Sequence, residues 1–153
     1  MSLKQHLLNQ FRACHNQDSW FVSLKTAITG LSSEQAAYKT NFTNSISEIV
    51  HHLYFYNKLE LNRMRKVKDN TRVSDNKETF SEESDWDELV KKIFRIMTEW
   101  EEEIENSEEE RLKRSCESLT YINLHNAYHI GQIVHIRKDR QFWDKGQGVD
   151  YTI

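Results

Sequence analysis

Proline is absent from this 153-residue chain, and glycine occurs only four times. Such poverty in chain breakers favours long helices over strands joined by tight turns. Cysteine is scarce too: Cys14 and Cys116 stand far apart, without C-x-x-C spacing. A chain of this size needs no disulfide staple, so a reducing compartment is expected. Basic residues are not in excess. The formal net charge of −3 removes the electrostatic footprint that sequence-independent nucleic-acid binding requires. The densest basic segment, Arg63-Met-Arg-Lys-Val-Lys68, follows a helical stretch, where cations complement the negative end of the helix dipole. No apolar run approaches transmembrane length, and MSLKQHLLNQF lacks the apolar core of a signal peptide. These absences predict a cytoplasmic protein that engages neither nucleic acid nor membrane.

What is present suits a soluble globular chain, with 37% hydrophobic and 29% charged residues. There is no internal repeat and no low-complexity linker, so residues 1–153 are expected to form a single domain. A first helical segment from Leu3 to Gly30 carries Leu7, Leu8, Phe11, Phe21, Leu24 and Ile28, with a kink or break at Cys14–Trp20. Gly30 suits a helix stop, and a short turn at Ser32–Gln35 follows. A second helix starts at Asn44 or Ser45, where Ser45-Ile-Ser-Glu48 has capping-box spacing. It aims Ile46, Ile49, Val50, Leu53, Tyr56 and Leu59 at the core. Residues Lys68 to Phe80 form a polar loop.

In the third helix, Ser84 is the expected N-cap, with Asp85, Asp87 and Glu88 in the first turn. Trp86, Leu89, Val90, Ile93, Met97, Trp100 and Ile104 recur at three- and four-residue spacing. The acidic run Glu101–Glu110 is expected as an exposed face fraying into a charged loop rather than a cation site. The fourth helix spans Ser118 to Asp139, and the tail from Gln141 is irregular. Four amphipathic segments predict an all-α protein, a four-helix bundle.

The fourth helix contains HNAYHIGQIVHIRK, residues 125–138. At about 100° per residue from Leu119, Ile122, Ile133 and Ile136 fall between about 260° and 320°, while His125 falls near 240° and His129 near 280°. Both histidines lie inside the apolar stripe. Gln132 lies just beside them, and His135 falls off it on the surface side. A lone buried imidazole is usually a core residue hydrogen-bonded to a neighbour. Two at i, i+4 are harder to satisfy separately, and this spacing lets one helix offer two nitrogens to one metal ion.

A third donor is needed. His51 and His52 on the second helix are candidates; periodicity separates them poorly and mildly favours His52. His6 and His15 are expected to be exposed or capping. The motif His125-Asn-Ala-Tyr-His129 lacks the glutamate of H-E-x-x-H zinc proteases, which removes the general base that peptide hydrolysis requires there.

Ser45-Ile-Ser-Glu-Ile-Val-His-His-Leu53, followed some seventy residues later by His125-Asn-Ala-Tyr-His-Ile-Gly-Gln-Ile133, resembles the DinB/YfiT-like family. The resemblance extends from the first helix to about Arg137. It implies a four-helix bundle with a three-histidine metal site at one end of the core. It also implies that the first ligand, directly before a leucine, is His52, with His125 and His129 completing the set. Many family members carry a glutamate or another polar residue inside the H-x-x-x-H pair, where this chain has Asn126, Ala127 and Tyr128, so substrate identity does not carry over. Members include thiol-dependent S-transferases and isomerases using bacillithiol, mycothiol or glutathione, and many are homodimers.

Three protein ligands leave a coordination position open, the arrangement of catalytic rather than structural zinc sites. All-imidazole donors suit zinc or nickel, then iron, manganese or copper, and disfavour calcium and magnesium. The expectation is a metal-dependent enzyme acting on a small molecule, either a transferase using a low-molecular-weight thiol or a hydrolase. The rival is a non-catalytic metal-binding or dimerising protein with a structural or vestigial site. Gln132, Tyr56 and Asn57 are the expected outer-shell or substrate contacts, joined by the hydroxyls of Tyr54 and Tyr128.

Overall fold

The helices begin and end where polar side chains compete for the backbone. Helix α1, Leu3–His15, starts at Ser2, whose hydroxyl accepts the Gln5 N–H. It stops before a loop organised by one carboxylate: Asp18 accepts the Ser23 N–H and the hydroxyls of Ser23 and Thr26. The expected interruption near Cys14–Trp20 is therefore a full break, after which α2 covers only Leu24–Ile28. Gly30, at φ +79°, takes the left-handed conformation that lets the chain turn away.

These features come from a computed structural model that describes residues 1–81 and 85–149. The turn expected at Ser32–Gln35 is instead the capping box of a short helix α3, Ser33–Ala37. Helix α4, Ile46–Arg65, opens with the Ser45/Glu48 capping box in both directions, at 3.1 and 2.7 Å. Loss of such a cap costs about 1 kcal/mol. Ile46, Ile49, Val50 and Leu53 are buried as the periodicity predicts, but Tyr56 and Leu59 are only half-buried and Leu61 is buried in their place.

The loop from Lys68 contains one 3₁₀ turn at Asn76–Thr79. Helix α5 is Trp86–Glu105. The expected cap Ser84 lies outside the described residues; Asp85 performs the capping, its carboxylate accepting the Glu88 N–H at 3.1 Å. Helix α6, Glu109–Asp139, begins nine residues before the expected start at Ser118, so the charged run after α5 is a short turn rather than a frayed loop. No strand occurs among the described residues, where Thr40 and Thr43 form an isolated bridge. The fold is all-α, carried by α1, α4, α5 and α6.

The chain divides into two compact units, Met1–Leu31 with Glu101–Ile153, and Ser32–Trp100. In the first, α1 and α2 pack on α6, burying Leu7, Phe11, Leu24, Leu119 and Ile130. Each large aliphatic side chain so buried contributes about 1.5–3 kcal/mol. Arg137 is buried in this unit yet makes four hydrogen bonds: it donates to the carbonyls of Ala27 (2.7 Å), Thr29 (3.0 Å) and Phe142 (2.9 and 3.2 Å). It thereby ties the end of α2 and the irregular tail to α6. In the second unit, α3 and the 3₁₀ turn pack on α4.

Candidate metal centre

Helix α6 places His125 and His129 on successive turns, their ring centroids 4.6 Å apart and their planes at 81°. Burial pushes the His125 imidazole down to about 4, with His129 as a second cause. Burial also lowers His129, partly opposed by its hydrogen bond to Gln132. Both rings are thus neutral near pH 7, the state in which imidazole binds metal. Nδ1 of His129 stands 2.9 Å from Gln132 Oε1. An amide oxygen only accepts, so Nδ1 carries the proton and the lone pair sits on Nε2.

His52, buried on α4, reaches the same tautomer through a partner 27 residues away. Its Nδ1 lies 2.6 Å from Thr79 Oγ1. The Thr79 hydroxyl donates its own proton to the Asn76 carbonyl, also at 2.6 Å, so the His52 Nδ1–H must be the donor. Phe80 stacks flat on the ring at 3.9 Å, and Tyr56 meets it edge-on at 4.9 Å. The segment Asn76–Phe80 therefore fixes His52 by two hydrogen bonds in series and one stacked ring.

His51, which periodicity could not separate from His52, turns elsewhere: its Nδ1 faces the Thr79 carbonyl at 2.9 Å and the Ser81 hydroxyl at 3.1 Å. His52, His125 and His129 each offer one ring nitrogen, and these atoms lie within 4.8 Å of one another. Nitrogens bound at about 2.0–2.1 Å to one tetrahedral zinc stand about 3.4 Å apart. A three-imidazole donor set at this spacing fits a divalent transition ion.

The remaining candidates divide. Gln132 bonds a ring of the group, and Tyr56 packs on another while its hydroxyl donates to Asn76 Oδ1 at 2.8 Å. Asn57 is buried, and its amide donates to the Leu53 carbonyl one turn back. Tyr128 is exposed with its ring against His129 at 5.0 Å. His6 and His135 are exposed. His15 is not: it is buried and bonded to Glu101 at 2.6 Å, a carboxylate that Arg12 also contacts at 3.2 Å. Sequence reading missed Thr79 and Phe80, because a polar loop gives no periodic signal.

An all-α chain presenting three such histidines defines a class, helical proteins with a candidate three-imidazole metal centre. The profile of the DinB superfamily matches residues 22–133, and the chain belongs to that superfamily. Searches among curated proteins and among solved structures return no match. No helix among the described residues is long and apolar enough to cross a membrane.

Proposed function

We propose that His52, His125 and His129 hold one divalent transition ion, zinc or nickel before iron, manganese or copper, in a metal-dependent enzyme acting on a small molecule. The favoured reaction is transfer involving a low-molecular-weight thiol, with hydrolysis as the second. The observation that carries this reading is the mutual approach of three ring nitrogens to within 4.8 Å. When bound, such an ion acidifies a thiol or water and polarises an electrophile.

The chain's own residues supply the rest. Thr79 and Gln132 hold the His52 and His129 rings in the tautomer that presents Nε2, and this lowers the cost of ordering the ligands. A ligand set of three imidazoles would bring no negative charge to a bound dication, so the site would favour an anionic substrate group over a neutral one. The exposed hydroxyl-bearing ring of Tyr128, beside His129, is positioned to contact substrate. A cytoplasmic homodimer is part of this proposal. It is supported by Tyr121, Leu124 and Tyr128, 63%, 60% and 70% exposed and spaced along one face of α6.

The rival, a metal of purely structural use, draws on the depth of His52, only 2% exposed. The deciding experiment assays metal-loaded protein with glutathione or bacillithiol and a model electrophile, then with model esters. Turnover that disappears on chelation and returns with metal supports the enzyme. A fully metallated protein inert in both screens, with a melting temperature that collapses on chelation, supports the structural reading.

A further inference from the structure

A cavity of about 480 Å³ lies within the first unit, lined by parts of α6, the segment after α1 and the tail. It sits on the far side of α6 from His125 and His129. At about 100° per residue from Leu119, Ala127, Gly131 and Lys138 fall between about 80° and 120°, against about 240–280° for His125 and His129. The volume is in the range of small-molecule sites.

Its walls are mostly apolar, with the indoles of Trp20 and Trp143 the largest surfaces. Trp20 is 86% exposed and contributes its indole to the cavity wall. The Trp143 indole is held in place: its Nε1 donates to the Gln147 carbonyl at 3.2 Å, and the Lys138 ammonium lies 5.7 Å from its ring. The polar side chains that line the cavity are donors except for one amide oxygen, that of Gln147. Gln147 accepts the Asp144 N–H at its amide oxygen at 3.1 Å, which orients the amide and leaves both N–H groups of its NH₂ to donate. Lys138 is the sole charged residue in the lining and has no carboxylate partner among the described residues.

We propose that this cavity binds a small planar aromatic anion, an aryl carboxylate, with its ring against the two indoles and its carboxylate at Lys138 and Gln147. Aromatic walls favour a flat π-surface. A donor-rich rim with one cation, which has no carboxylate partner among the described residues, discriminates against neutral and cationic ligands, because their acceptor-poor groups leave the ammonium unanswered. The site is independent of the metal reading, since none of its lining residues belongs to the histidine group.

The test uses the full-length, metal-loaded protein with 1-naphthoate and its neutral analogue 1-naphthalenemethanol, read by quenching of tryptophan fluorescence. Saturable quenching by naphthoate, at least about tenfold tighter than by the alcohol, is expected from one charge-assisted contact. Lys138→Met removes that preference and leaves alcohol binding within about twofold. Gly131→Leu fills the cavity and abolishes both. A Cβ at Gly131 meets no atom within 4 Å, and leucine favours a helix over glycine, so this variant keeps its fold, which melting temperature and metal content verify. Equal affinity for the two probes, a preference that survives Lys138→Met, undiminished binding in folded Gly131→Leu, or no saturable quenching would each overturn the proposal.

Discussion

His129 and His52 present the same nitrogen, but they are held by different kinds of support. His129 leans on Gln132, one turn further along its own helix and half-buried. That support exists wherever α6 is helical. His52 leans on Thr79, which is 1% exposed and lies in a 3₁₀ turn within an otherwise irregular loop. That support exists only when the loop closes over α4. The difference teaches that half of the candidate centre is written into local helix geometry, whereas the other half depends on long-range folding.

The largest expected effect ignores the distinction. His125→Ala removes a ligand, and purified protein should drop from about one equivalent of divalent metal per chain to near none, measured by elemental analysis. Next comes the pair of variants that breaks the comparison. Thr79→Val deletes the buried acceptor while keeping the shape, so metal affinity should fall by about 10–100-fold and stability by about 1–3 kcal/mol. Gln132→Leu should cost less than about tenfold, because water can replace a half-exposed acceptor. Competition titration with a chromogenic chelator measures both. Equal losses would show that the loop adds nothing the helix does not.

Acidity separates the two halves further. His125 and His129 have folded-state values below the ordinary 6.5, with His125 near 4. The unfolded chain therefore takes up their protons first. Their unfavourable effect on the metal-free fold is absent above about pH 6.5 and grows as the pH falls towards about 4. Melting temperature of the metal-free protein should decline across that window, and Asn replacements at both positions should flatten the decline. The smallest effect belongs to His51→Gln. It loses a bond to the Thr79 carbonyl, should cost about 1 kcal/mol, and should leave metal stoichiometry unchanged.

The same division governs what the sequence made legible. The Ser45/Glu48 capping box, the phase of Ile46 to Leu53 and the i, i+4 histidines are all local patterns, and each appears in the structure. The early start of α6 was hidden because residues 109–118 bury only Leu112, leaving helix propensity without an apolar period to announce it. Asp85, next to the expected cap, accepts the Glu88 N–H, a role for which adjacent polar residues are equally suited in sequence. Thr79 and the His15–Glu101 contact span 27 and 86 positions. Such contacts appear only once the fold brings the partners together. Tyr56 and Leu59 stand half-buried because the stripe of α4 passes through Leu61 instead.

The central claim is that one ion is shared by imidazoles from α4 and α6. Zinc titration followed by calorimetry on His52→Ala, beside His51→Ala as control, tests it most directly. The account predicts one zinc per chain in the His51 variant, with affinity close to the unaltered protein, and loss of stoichiometric binding in the His52 variant. Full-affinity binding of one zinc by a folded His52→Ala protein would contradict it.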